Sequence, residues 1–282
     1  MAATGVMALS ALDTVRGDFL SRVASAAVLA PLALMFAYLG SPVFEAALGL
    51  IACVLAWEWT SLCGSRRLKV MRVLLALTAI AAVLGVKAGM PVLAGAIIAA
   101  GTIAAGAVEG SINGMDRRRA WMAAGVVYIA LPLAAFEWLR LTPHGREIVI
   151  WMLIVVWASD TVAYLFGRAF GGPKLAPEIS PKKTWSGLCG AMIGAALAGA
   201  VVARVLGAGD PVGLTAMAAI FGLTGQGGDL LESTVKRRFG VKDTSRLIPG
   251  HGGLFDRLDA LLAVVVLAAL LRFLGWSGEA IW

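Results

Sequence analysis

His251-Gly-Gly-Leu-Phe-Asp256-Arg257-Leu-Asp259-Ala-Leu-Leu-Ala-Val-Val-Val-Leu-Ala-Ala-Leu-Leu271 decides the fold. Two aspartates and an arginine crowd the mouth of a run, residues 260–271, that has no polar side chain. Extended to about residues 254–274, the stretch reaches the roughly 20 residues that an α-helix needs to cross a bilayer. Its charges gather at one end, as they would if that end met water and the rest met lipid.

Eight further stretches of this kind precede it, at about 22–39, 43–62, 70–86, 91–109, 120–138, 147–167, 187–206 and 213–231. The sequence therefore predicts an all-α, polytopic membrane bundle of about nine transmembrane helices. Composition agrees. Of 282 residues, 60% are hydrophobic and 15% charged, against roughly 25% charged in soluble domains. Nine spans divide the Lys and Arg residues unevenly. One side takes Arg16, Arg22, Arg66, Arg67, Lys69, Arg72, Arg117–Arg119, Arg168, Lys174, Lys182, Lys183, Lys236–Arg238, Lys242, Arg246 and Arg257. The other takes only Lys87, Arg140, Arg146, Arg204 and Arg272. The basic side faces the cytoplasm, which puts the N-terminus inside and the C-terminus outside. The formal charge of +7 then reflects these loops and anionic lipid or nucleotide partners, not nucleic acid.

Residues 1–21 have the look of an interfacial segment. Ser10 and Asp13 stand at capping-box spacing, and Leu12, Val15, Phe19 and Val23 recur at helical intervals. Residues 22–282 form one membrane domain with its chemistry in the half from about 147. No basic cluster and cleavage site mark a signal peptide. Cys53, Cys63 and Cys189 are far apart in apolar surroundings, and read as small core residues. Glu58, between Trp57 and Trp59, reads as structural.

Three regions carry candidate chemistry, all on the cytoplasmic side. In Trp157-Ala-Ser-Asp160-Thr-Val-Ala-Tyr164, Asp160 and Tyr164 share a helix face. An ionised Asp inside a span costs at least ~2.5 kcal/mol and so faces the bundle or water. It serves a ligand there or pairs with a loop arginine. In Gly171-Gly-Pro-Lys174-Leu-Ala-Pro-Glu-Ile-Ser180-Pro-Lys182-Lys183-Thr184-Trp185, Pro and Gly exclude a simple helix. Lys182 and Lys183 fit either phosphate binding or topological anchoring, and Ser180 and Thr184 add hydroxyls. The third region runs from Gln226 to Asp259. Asp229, Glu232, Ser233 and Lys236 fall on one helical stripe, and Asp256 and Asp259 on another. Carboxylates that enter apolar helices repel one another and lose hydration. A divalent cation with oxygen ligands, such as Mg²⁺, relieves both costs. The interleaved bases suit phosphate oxygens. His251 stands among glycines, where backbone can approach a ligand. No P-loop, dinucleotide fingerprint, H-E-x-x-H or G-x-S-x-G motif is present.

The third region resembles the phosphatidate cytidylyltransferase (CDP-diacylglycerol synthase) family. The family pattern is met by Ser233, Lys236, Arg237, Lys242, Asp243, His251, Gly252, Gly253, Asp256, Arg257 and Asp259 with spacing intact. Asp229 and the Ser180–Thr184 loop are similar too. The resemblance covers about residues 150–275. Ser186 is a departure, because an acidic residue is expected after Trp185. The resemblance implies cytidylyl transfer from CTP to phosphatidic acid in phospholipid biosynthesis, with Mg²⁺ near Asp229 and Asp256. It leaves open a second, monovalent cation such as K⁺, and a homodimer.

In that reading Asp229 and Asp256 ligate metal, with Asp259 and Asp160 behind them or as additional ligands. Lys182, Lys183, Lys236, Arg237 and Arg257 bind phosphates, Ser233 and His251 orient phosphate oxygens, and Lys242 and Asp243 complete the substrate site. A bacterial inner membrane is the expected location. A transporter would show an inverted repeat, which is not evident. A CTP-dependent polyprenol kinase would instead transfer the γ-phosphoryl group.

Overall fold

The computed structural model describes residues 27–110, 117–207, 210–248 and 252–275. The expected interfacial segment 1–21 and His251 lie outside the described residues. Among the described residues the chain forms α1 (Ala27–Leu39), α2 (Val43–Leu62), α3 (Leu68–Lys87), α4 (Pro91–Gly110), α5 (Arg117–Arg140) and α6 (Gly145–Ala169). A hairpin of β1 (Lys174–Ala176) and β2 (Ser180–Thr184) follows, then α7 (Trp185–Val205), α8 (Pro211–Arg238) and α9 (Phe255–Phe273).

Each helix occupies one of the nine apolar runs. Helices α2 to α7 are long and apolar enough to cross a membrane by length and composition. Helix α8 carries Gln226, Asp229, Glu232 and Lys236 in its second half, and α9 carries Asp256, Arg257 and Asp259 in its first turns. Each of the two thus breaks its apolar run with charge at one end. The strands amend the all-α reading. Lys174 pairs with Thr184 and Ala176 with Ser180 in an antiparallel hairpin. Its prolines and glycines exclude helix but allow a short two-stranded ribbon.

Lipid tails are as apolar as leucine, so helices associate in a bilayer through close packing and internal polar contacts. Glycines supply that closeness here. A Cβ at Gly190 would meet the Phe166 side chain, and one at Gly194 would meet Val162, so α7 lies directly on α6. Gly222 faces the Ala191 carbonyl, which draws α8 onto α7. Gly228 presses on the Asp259 carbonyl and Ala263, and Gly225 on Ala260, which draws α8 onto α9.

The N-terminal half packs through larger side chains. Leu48, Leu55, Met71, Leu75, Met122 and Ile129 are fully buried among α2, α3 and α5. Trp59 sits beside Trp121, Tyr128 and Phe255, and the Tyr128 and Phe255 rings stack at 5.4 Å. This aromatic group joins α2 and α5 to the start of α9. Helix α4 lies outermost, with Val92 and Ile103 exposed.

Charge separates along the bundle axis. At one end Lys87 lies 2.5 Å from Glu45, Arg140 donates to the Ala37 carbonyl, and Arg146 covers the Tyr38 ring. These are three of the five minority-side bases. Glu58 marks the opposite end of α2, about 20 Å away at ~1.5 Å per residue. The reading of the cysteines needs correction. All three are free, but only Cys63 is buried, while Cys53 and Cys189 are exposed. In a membrane bundle the outer surface is as apolar as the core, so apolar surroundings in sequence do not imply burial.

The packing can be tested by adding side chains. Gly194→Val should cost about 1–3 kcal/mol by overpacking and lower the apparent unfolding midpoint in mild detergent. Gly95→Ala, where a Cβ would meet nothing within 4 Å, should leave it unchanged.

Candidate active site

Helix α8 continues to Arg238, beyond its apolar stretch, and so carries its polar stripe out of the hydrophobic run. Gly240 ends it at φ +70°, a conformation that strains other residues. The Gly240 amide donates to the Arg237 carbonyl and the Val241 amide to the Lys236 carbonyl. The chain then crosses to α9.

Two lysine-centred clusters form on the stripe. Lys236 Nζ lies 2.6 Å from Glu232 Oε2 and 2.5 Å from Asp256 Oδ1. The other Asp256 oxygen accepts from the Thr244 amide (3.0 Å), the Thr244 hydroxyl (2.9 Å) and the Gly253 amide (2.7 Å). Asp256 therefore pins the loop between α8 and α9. In the second cluster Lys183 Nζ lies 2.7 Å from Asp229 Oδ2 and donates to Gln226 Oε1 at 2.8 Å. Gln226 Nε2 in turn donates to Asp160 at 3.2 Å. Ser233 donates to Asp229 at 3.2 Å.

The hairpin delivers Lys183. Thr184 caps α7 by accepting from the Gly187 amide. Ser186, the departure from the family pattern, donates to the Gly171 carbonyl and sits 2.9 Å from the Thr184 hydroxyl. Both close the base of the hairpin. Arg237 donates to the Ile179 carbonyl and to the Val241 carbonyl, which ties the hairpin turn to the end of α8.

Asp229, Glu232 and Asp259 each place a carboxylate oxygen within 4.8 Å of the others. The glycine contacts between α8 and α9 make this possible. A bare carboxylate trio in a low-dielectric bundle repels itself strongly. Lys183 and Lys236 offset part of that charge. One buried oxygen, Glu232 Oε1, has no hydrogen-bond partner among the described residues, and an orphaned buried acceptor is costly. Oxygen donors, excess negative charge and an orphaned acceptor all suit a hard divalent cation. The residues present fit the Mg²⁺ expected from the sequence.

The trio shares Asp229 with the expected metal ligands and also holds Glu232 and Asp259. Asp256 bonds to Lys236, Thr244 and Gly253 beside it. Asp259 is a direct member of the trio, while Asp160 reaches it only through Gln226. Lys182, Lys242, Asp243 and Arg257 are exposed around the site, and Ser180 is half-buried at the start of β2. Tyr164 accepts from Arg168 on its own helix. In sequence Glu58 reads as structural, and Gln226 and Thr244 carry no assigned role. Gln226 could have been found as the stripe position one turn before Asp229. Glu58 could not, because its partners are nearly two hundred residues away.

The family model described as the cytidylyltransferase family matches residues 20–274 of this chain. The chain is similar to the phosphatidate cytidylyltransferase of Brucella abortus, with 36% identity over 90% of this chain and 92% of that protein. It is 42% identical over 127 residues to the protein of that name from Haemophilus influenzae, or 43% of this chain and 44% of that one. To the one from Rickettsia conorii it is 32% identical over 52% of this chain and 67% of that protein.

Lys236→Met should be strongly destabilising, by about 3–5 kcal/mol, since it strands two buried carboxylates. Adding Asp256→Asn should return part of that loss. Thermal unfolding in detergent measures both.

Proposed function

Because the chain belongs to the cytidylyltransferase family, we propose that it transfers the cytidylyl group of CTP to phosphatidic acid, giving CDP-diacylglycerol and pyrophosphate. The observation that carries this reading is the carboxylate trio set between Lys183 and Lys236. The names of the relatives supply the substrates.

The nucleophile is the lipid's own phosphate. Its second pKa is ~6, so it is largely dianionic at neutral pH and needs no protein base. One of its oxygens attacks the α-phosphorus of CTP. The bond from that phosphorus to the bridging oxygen of the β-phosphate breaks, and pyrophosphate leaves with the electron pair. Catalysis then rests on alignment and charge neutralisation. Asp229, Glu232 and Asp259 would hold Mg²⁺, with Asp256 steadied by Lys236 beside them. When bound, the ion neutralises phosphate charge and orients the triphosphate. Lys183 and Lys236 face phosphate oxygens, Lys182, Lys242 and Arg257 guide the triphosphate and lipid phosphate inward, and Ser233 and His251 orient oxygens. A second cation such as K⁺ would share the surplus negative charge.

The membrane setting follows from the substrates, since acyl chains stay in lipid while the phosphate meets aqueous CTP. The nine helices are all spans, the N-terminus and the site face the cytoplasm, and the membrane is a bacterial inner membrane. The uneven division of the 24 Lys and Arg residues supports this orientation. A reporter active only outside the cytoplasm, fused after Trp282, should be active. An inactive reporter would overturn the orientation.

Purified protein given Mg²⁺, phosphatidate and α-labelled CTP should label lipid and release matching pyrophosphate. Lys183→Met should lower kcat by about 10²–10³-fold, as loss of one transition-state charge contact does. Asp256→Asn should also lose activity, and Glu232→Gln should raise the Mg²⁺ concentration needed for half-maximal rate. Label transferred only from the γ-position, and to polyprenol, would defeat the reading in favour of a kinase.

A further inference from the structure

Glu58 is fully buried on α2, at the cytoplasmic end of the half of the chain to which no chemistry has been assigned. Among the described residues its carboxylate accepts three hydrogen bonds, each from the segment that leads into α9. The Ser245 hydroxyl donates at 2.6 Å and the Leu254 amide at 2.9 Å to one oxygen, and the Phe255 amide donates at 2.7 Å to the other. Leu254 and Phe255 are at the start of α9, where amides have no partner within the helix. A carboxylate there also meets the positive end of the helix dipole. The cap that α9 lacks in its own sequence is thus supplied from across the bundle.

The same segment is gripped from its other side by Asp256, through Thr244 and Gly253. Two carboxylates therefore clasp one turn: Asp256 from within the site and Glu58 from the N-terminal half. No room remains between them at Gly253, where a Cβ would collide with both the Thr244 hydroxyl and the Glu58 carboxylate. Trp59, next to Glu58, packs on Phe255 at 5.7 Å and donates to the Trp121 carbonyl at 2.9 Å. Glu58 is thereby seated on a fixed wall.

We infer that Glu58 is a positioning residue of the active site, which sets the start of α9 and so the placement of Asp256 and Asp259 against Lys236 and Asp229. This inference rests on the cytidylyl-transfer reading. Releasing the turn would misplace charged groups by a fraction of an ångström to an ångström, and positioning errors of that size are costly to rate. Groups that orient metal or substrate ligands from behind typically change affinity or activity by about 10–100-fold.

The test uses full-length protein in mild detergent, with Glu58→Gln as an isosteric variant and Ser245→Ala as a milder one. Rates are measured per folded molecule against CTP and Mg²⁺. We expect Glu58→Gln to lower kcat or raise the Mg²⁺ requirement by about 10–100-fold, and Ser245→Ala to move the same parameter less. Adding Ser245→Ala to Glu58→Gln should have little further effect. A second arm, independent of catalysis, follows amide hydrogen exchange. The Leu254 and Phe255 amides should exchange faster in Glu58→Gln while those deep in α9 keep their protection. Parameters within twofold of the parent per folded molecule would overturn the inference, as would unchanged exchange at both amides. If the parent itself lacks cytidylyl transfer, the reaction assigned above fails, and the exchange arm alone decides whether Glu58 holds the turn.

Discussion

A carboxylate inside a lipid-facing bundle must be neutralised, hydrogen-bonded or bound to a cation. The active half of this protein is organised around that constraint. Helices α8 and α9 bring acids to the same depth, and the backbone contact of Gly228 with Asp259 forces them together. The cost is offset in two ways. Lys183 and Lys236 enter from different elements to pair with the acids, and backbone amides of a tight turn saturate Asp256. One buried oxygen of Glu232 is left over, where a bound cation would complete the balance. In the proposed reaction the same arrangement would meet a triphosphate and a lipid phosphate, whose charges a bound cation would offset.

Much of this was legible in sequence because lipid is a severe solvent. Apolar length alone located the helices, and α2 ends at the residues expected, Val43 and Leu62. Helical spacing located the stripe from Asp229 to Lys236. The rest depended on tertiary contacts that no spacing encodes. Asp256 and Asp259 look equivalent in the Asp-Arg-x-Asp motif. The structure separates them, because Asp256 is at the first turn of α9, within reach of Thr244, Gly253 and Lys236, whereas Asp259 is one turn deeper and opposite Asp229. Glu232 reads as a stripe residue in sequence, because its approach to Asp259 depends on how α8 is rotated against α9. Prolines and glycines mark the hairpin as non-helical in sequence, but the pairing of Lys174 with Thr184 lies at a base closed by Ser186, the residue at which the family pattern is broken.

The two halves of the chain differ in the way they pack. Helices α6 to α9 approach through glycines, which lets backbones touch and polar groups converge. Helices α2, α3 and α5 pack through Leu, Met, Phe and Trp. A site built on closely packed glycines has little material to hold its loops. The aromatic group of Trp59, Tyr128 and Phe255 provides the missing support from the other half.

The clasp at Glu58 also bears on how such proteins recombine. A chimera joined between α5 and α6 would keep every acid and base of the reactive centre and still lose the group that seats the first turn of α9, unless the incoming N-terminal half carried an acid at the same height on its own second helix. The two halves would therefore have to be exchanged as a matched pair, the plainly apolar one included.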